Sequence, residues 1–217
     1  MKRIFWLTFA LMCGVLVTGC ARLSDGQTQP NRQTEKKIDD CEEGWCELIF
    51  EGMPSRLSWQ TTVAPPNEPG EPLIISGTIY KKDGKTPAPG VILYVHHTDN
   101  EGYYSLAPNQ TQGKRHGHLR GWMKTDANGR YEFKTIRPKA YPDGSEPQHI
   151  HPIISEPGKG YYWLDDYLFE DDPLLTNKER SRAGNRGGNG IISLKKNEKG
   201  MWIGKRDIIL GLNIPNY

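Results

Sequence analysis

The sequence predicts an all-β chain folded as a sandwich with long loops. From Leu48 onward, short runs of β-branched and aromatic residues alternate with clusters of Gly, Pro and Asn. No stretch sustains an apolar repeat of about 3.6 residues over three turns, as an amphipathic helix would. The sixteen prolines among 217 residues point the same way, because proline removes a hydrogen bond from a helix interior.

Taken in order, the expected strands are Leu73–Tyr80, Val91–His97, Arg130–Thr135, His149–Ser155, Ile191–Leu194 and Asp207–Leu212, with Trp202–Gly211 suited to a closing strand pair. The intervening Lys82-Asp83-Gly84-Lys85 and Asp126-Ala127-Asn128-Gly129 are turn sequences, with glycine where a positive φ is needed. Residues 160–190 are aromatic at first (Gly160-Tyr161-Tyr162-Trp163-Leu164, then Tyr167-Leu168-Phe169) and afterwards charged and glycine-rich. They read as a long loop carrying a short helical turn at most, of the kind that walls binding sites on β scaffolds.

The start of the chain stands apart. Lys2 and Arg3 precede an apolar run, Ile4 to Val17, that closes on Val17-Thr18-Gly19-Cys20. This is the pattern of a bacterial lipoprotein signal, with residues 1–19 removed and Cys20 lipidated. Residues 20–47 are then expected to be a flexible tether, polar and mixed in charge over 21–40, and residues 48–217 the folded domain. The expected location is extracytoplasmic, on the cell-envelope membrane through the anchor at Cys20. Ala21 and Arg22 after the cysteine give no signal for retention at the inner membrane, which favours the outer membrane of a Gram-negative host. Cys13 falls in the signal, which leaves Cys41 and Cys46 to form a local disulfide in an oxidising compartment. The net charge of +2, with no basic stripe interleaved with aromatics, gives nucleic-acid binding no electrostatic support.

All six histidines occur in close pairs: His96-His97, His116-Gly117-His118 and His149-Ile150-His151. Residues two apart on a strand share a face, so His149 and His151 are placed to ligate one ion, with Ile150 facing away. His96 and His97 would point to opposite faces. His116 and His118 sit in a basic loop, as readily exposed as functional.

The surroundings of the last pair extend the pattern. Asn100-Glu101-Gly102-Tyr103-Tyr104-Ser105 comes first, then Thr125-Asp126-Ala127-Asn128-Gly129-Arg130-Tyr131-Glu132-Phe133, then Pro138, Tyr141-Pro142 and His149-Ile150-His151. This order resembles the intradiol ring-cleavage dioxygenases, the catechol and protocatechuate class, over about Ser76 to Pro173. The resemblance implies a sandwich of the intradiol dioxygenase type. It also implies a ferric ion, Fe(3+), held by Tyr104, Tyr141, His149 and His151, a small aromatic diol and O2 as substrates, and Tyr141 as the group that takes a substrate proton. Tyr103 competes with Tyr104, which keeps the family's Gly-x-Tyr spacing.

Two positions depart from the family. An arginine three residues before the first histidine is Glu146 here, and a usual glutamine is Asp166. Arg137, or else Arg120, is the candidate to supply the missing positive charge, and Arg137 is taken as a catalytic residue beside Tyr141. Two other readings remain. Thr-Asp-x-x-Gly-x-Tyr-x-Phe also belongs to transthyretin-like and carboxypeptidase-regulatory sandwich modules, which are non-catalytic. In those, Asp126, Gly129, Tyr131 and Phe133 only build a hairpin, a role we assign them in either case. A cupin-like barrel would use the histidine pair with a following carboxylate such as Glu156, but it leaves the tyrosine spacing unexplained.

Overall fold

The computed structural model describes residues 36–38, 41 and 44–217. The expected signal segment, the anchor at Cys20 and most of the expected tether lie outside the described residues. In chain order the strands are β1 (Gln60–Thr62), β2 (Pro72–Tyr80), β3 (Ile92–His97), β4 (Arg120–Lys124), β5 (Arg130–Ile136) and β6 (His149–Glu156). They continue with β7 (Gly160–Trp163), β8 (Tyr167–Phe169), β9 (Ile191–Ile192), β10 (Lys195–Lys196), β11 (Trp202–Lys205) and β12 (Ile208–Ile209). One short helix, α1 (Asn177–Arg182), is capped by the Thr176 hydroxyl, which accepts from the Glu179 amide. No helix among the described residues is long and apolar enough to cross a membrane.

The strands form two sheets. The first runs β1-β5-β2-β11-β10, with β12 also on β2, and the second runs β4-β3-β6-β8-β9, with β7 also on β6. Alternation decides what lies between them. On β2, Leu73, Ile75 and Ile79 are buried while their neighbours in sequence are not, and on β5 Tyr131, Phe133, Thr135 and Ile136 are buried. The hydrophobic ones meet Leu93, Val95, Met123, Ile150 and Ile154 of the second sheet in one apolar cluster. Enclosing a side chain such as Phe133 or Ile154 contributes about 1.5–3 kcal/mol.

The outer face of the second sheet is covered too. Cys41, Cys46 and Ile49 pack on Ile92, Tyr94, Ile153 and Tyr161. That cover explains why all six residues of β3 are buried. It is closed by the Cys41–Cys46 disulfide, as expected, and pinned by the Ile38 amide, which donates to the Tyr161 carbonyl at 3.1 Å. The folded body therefore begins ahead of residue 48: Ile38, Cys41 and Cys46, assigned to the tether by composition, are buried against it.

The expected strands appear with ends shifted by a residue or two, except that Ile191–Leu194 and Asp207–Leu212 shorten to the two-residue β9 and β12. The reading of 160–190 as a loop is corrected. Its aromatic half forms β7 and β8, because β6 is long enough to pair with both in turn, and only its second half is irregular around α1. Strand β4 was missed because Arg120-Gly121-Trp122-Met123-Lys124 carries a charge at each end and a glycine between.

Candidate metal centre

Strand β6 sends Ile150 into the core between the sheets and His149 and His151 to the opposite face. Each imidazole is oriented from behind. His149 donates its Nδ1 proton to the Pro147 carbonyl at 2.6 Å, and His151 donates its own to Asp166 Oδ1 at 2.8 Å. Both partners accept, so both rings keep the Nδ1 tautomer and turn an Nε2 lone pair outward.

The two tyrosines arrive on loops fastened to each other. The Thr98 hydroxyl donates to the Lys139 carbonyl at 2.6 Å, and Asp99 Oδ1 accepts from the Glu101 and Tyr103 amides at 2.9 and 3.0 Å. Gly102 lets the loops touch. Its φ is +87°, and a β-carbon there would lie 2.3 Å from the Ala140 carbonyl oxygen. Tyr104 and Tyr141 follow these two contact points closely along the chain.

The result is a closed ring of four polar atoms. Tyr104 Oη lies 3.1 Å from Tyr141 Oη, which lies 3.3 Å from His149 Nε2. His149 Nε2 is 3.1 Å from His151 Nε2, which is 2.9 Å from Tyr104 Oη. The centre of a ring with such edges is about 2.2 Å from each corner if the ring is flat and nearer 2 Å if it is puckered, within the range of metal bonds to nitrogen and oxygen. His149, His151 and Asp166 also form a possible metal-holding group with ligand atoms within 4.8 Å of one another. Because Asp166 already accepts from His151 Nδ1, we assign it to orienting that ring.

Electrostatics suits a cation at the centre. Burial, and then the hydrogen bond to Tyr141, pushes the Tyr104 phenol well above its usual range. Burial raises Tyr141 as well, helped by the carboxylates of Asp166, Glu146 and Asp143. Neither phenol ionises alone near neutral pH, so a positive charge within the ring is what would make them phenolates. Burial, then the neighbouring His151, lowers His149, which keeps its Nε2 lone pair available. Burial opposes ionisation of Asp166, but the charge and hydrogen bond of His151 outweigh it and hold that carboxyl below the usual aspartate range.

A cleft of about 510 Å³ opens on the ring beside Tyr141, His149 and His151, with Trp163, Leu168 and Ile191 as apolar wall. A second hollow of about 400 Å³ reaches His151 from another side, between Trp45, Trp163 and Asp166. Arg137 does not line either. Its guanidinium donates to Gln148 at 2.7 Å and to both oxygens of Asp171 at 2.8 Å, and it packs over Phe169 and Trp202. This residue, expected to be catalytic, is held as a clamp on the Gln148 segment by a partner thirty-four residues away that the sequence does not reveal. Arg120 lies over Trp122 on β4, outside the cleft as well.

The other candidates also have places. Tyr103 is 55% exposed and makes none of the ring's four contacts. Glu156 accepts from Tyr162 and Tyr217 at the far end of β6, so it does not complete a cupin-like set. His97 faces the core and pairs with the Thr135 hydroxyl at 2.6 Å, and His118 bridges Glu68 and the Ser105 carbonyl. His96 stands opposite His151 in the β3–β6 register and stacks between it and His116, at ring separations of 4.7 and 3.6 Å. Trp45 packs edgewise on all three rings. Neither this stack nor the Asp166 contact was legible beforehand, since both depend on sheet register and on a segment remote in sequence.

Comparison with known proteins gives one consistent answer. A family model described as dioxygenase matches residues 55–187. Catechol 1,2-dioxygenase 1 of Acinetobacter lwoffii is 31% identical over 126 residues, which cover 51% of this chain and 40% of that protein. Hydroxyquinol 1,2-dioxygenase of a Rhizobium species is 31% identical over 123 residues, 49% of this chain and 40% of its own length. The chain thus spans less than half the length of these relatives. The solved dioxygenase domain of a dioxygenase–carbohydrate-binding fusion from Streptomyces sp. SirexAA-E shares the fold, with a TM-score of 0.56 at 21% identity over 81% of this chain and 98% of that one.

Proposed function

Because the chain belongs to the intradiol ring-cleavage dioxygenase family, we propose that it uses O2 to cleave a catechol-type aromatic between its two hydroxyl-bearing carbons, with a ferric ion as its resident metal. The observation that carries this reading is the closed ring of Tyr104, Tyr141, His149 and His151, whose atoms stand 2.9–3.3 Å apart in sequence around it. Those four residues would hold the iron: two phenolates and two neutral imidazoles suit Fe(3+) in charge and donor type. When bound, the metal would supply a Lewis-acid centre able to draw electron density from an aromatic diol.

The chain's own groups divide the remaining work. The Pro147 carbonyl and the Asp166 carboxylate fix the two imidazoles before any ligand arrives, so no ring has to reorient. Tyr141 is the tyrosine that lines the cleft. Burial makes its phenolate a strong base, so Tyr141 Oη would accept a proton from an entering substrate hydroxyl and withdraw from the ring. Tyr104, held by His151 and by its own tight loop, would stay in place. Trp163, Leu168 and Ile191 would seat the aromatic ring and exclude water from it.

The test is iron content with a visible spectrum of the purified chain. About one iron per chain and a tyrosinate-to-iron band that shifts on anaerobic addition of catechol are expected, and Tyr141→Phe and His149→Ala should each reduce turnover at least about 100-fold. A chain that stays colourless and iron-free after ferric reconstitution would sink the proposal. The lipid anchor belongs to the same reading: fatty-acid label should enter the wild-type chain and be absent from Cys20→Ala.

A further inference from the structure

The cleft beside the ring is unevenly charged. Its lining holds the carboxylates of Glu146, Asp165, Asp166 and Glu179 and one cation, Arg182. Partners cancel some of these. Arg182 is paired with Glu179 at 3.1 Å, and Asp166 with His151. Behind the wall, the buried Arg206 spends its hydrogen bonds on the carbonyls of Asp165, Arg186 and Gly188. Burial raises the Asp165 carboxyl against the Arg186 and Asn185 amides and the charge of Arg206, and its Oδ2 is buried without a hydrogen-bond partner among the described residues, so Asp165 presents no free charge to the cleft. Glu146 is exposed, three residues ahead of His149, and no hydrogen bond or ion pair engages it among the described residues. Among the described residues that line the cleft, the unpaired charge is thus the Glu146 carboxylate, and the one lining cation is taken up by Glu179.

From this charge pattern we infer that the cleft prefers catechols carrying a cationic arm, such as an aminoalkyl group, and disfavours those carrying a carboxylate. The inference rests on the ring-cleavage reading above. With the two hydroxyls at Tyr141, His149 and His151, a substituent extends along Trp163, Leu168 and Ile191. An ammonium at its end is placed to meet Glu146. A carboxylate at its end meets the same group, and the one cation among the lining residues must first be taken from Glu179.

Three ligands sharing one ring separate the alternatives: 4-(2-aminoethyl)catechol, 4-methylcatechol and 3,4-dihydroxyphenylacetate. Their affinities for the iron-loaded chain are measured by calorimetry without oxygen, so that turnover plays no part. The amine is expected to bind about three- to fivefold more tightly than the methyl compound, and the carboxylate more weakly by a similar factor, as for one exposed ion pair. Raising salt from about 0.05 to about 0.5 M should narrow the spread. Glu146→Gln should narrow it by about threefold, and Glu146→Lys should reverse it. A carboxylate that binds as tightly as the amine to the wild type, or a spread that survives both salt and Glu146→Gln, overturns the inference and leaves ring cleavage standing. If none of the three binds while iron is present, both readings fall.

Discussion

Replacing Gly102 by alanine asks whether the contact between the two tyrosine loops shapes the ring. The new β-carbon would sit 2.3 Å from the Ala140 carbonyl oxygen and 3.2 Å from Pro142 Cδ. Relieving that overlap needs the loops to part by about 0.7 Å or more, since close-packed interiors leave no slack for it. Tyr104 lies two residues after Gly102 and Tyr141 directly follows Ala140, so the parting falls on the 3.1 Å edge between their hydroxyls. A preorganised site tolerates about 0.5 Å, and misplacement by about 1 Å costs roughly 100-fold. The φ of +87° adds about 1–2 kcal/mol for alanine. Gly144 supplies the control: its φ is +67°, but a β-carbon there meets nothing within 4 Å. Ferric affinity by chelator competition, with thermal denaturation of the metal-free chains, reads both. Gly102→Ala should bind iron about 30- to 100-fold more weakly and unfold earlier, whereas Gly144→Ala should lose only about 1 kcal/mol of stability and keep its iron. Equal iron affinity in the two variants would refute the argument that loop contact sets the ring.

Two further outcomes follow from groups near the ring. Asp166→Ala should weaken ferric binding about 10- to 100-fold, with Asp166→Asn between it and the wild type, because the amide keeps an acceptor for His151 Nδ1 but loses the charge; unchanged affinity in the alanine variant would remove Asp166 from the site. His118 titrates higher in the fold than free histidine: burial opposes its proton, but the Ser105 carbonyl and the Glu68 carboxylate outweigh burial. Its contribution to stability is therefore complete below about pH 6.5, the ordinary histidine value, and is lost as pH rises through the higher folded value. Melting temperature measured on either side of that window should fall with rising pH in the wild type and change less in Glu68→Gln.

Much of the sandwich was readable because burial on one face leaves a mark in sequence. Leu73, Ile75 and Ile79 alternate with half-exposed residues, and the Asp126–Gly129 turn joins β4 to β5 where expected. The mark fades where a strand is covered on both faces or carries charge, which is why β3 gives a continuous apolar run and β4 gives almost nothing. The four ring residues could be named from their order along the chain. Their supports could not, since Asp166 brings its carboxylate from the link between β7 and β8, Pro147 acts through its backbone carbonyl and Trp45 through a disulfide-closed turn. Arg137 stands near the site in sequence, but Gln148 and Asp171 take up its guanidinium and it does not line the cleft.

The segment ahead of residue 48 has a mechanical consequence. Its first described residues, Lys36–Ile38, are stitched to the fold by two backbone hydrogen bonds, from Ile38 to the Tyr161 carbonyl and from Tyr161 to the Lys36 carbonyl. It then passes through the Cys41–Cys46 bond to Trp45, whose indole rests on His151. A pull on the N-terminal side of Lys36 would meet the stitches on β7 before the covalent loop. Trp45 and the histidine beneath it would feel that load only after both had yielded, so the device that covers the sheet also shields the ring from tension arriving along the chain.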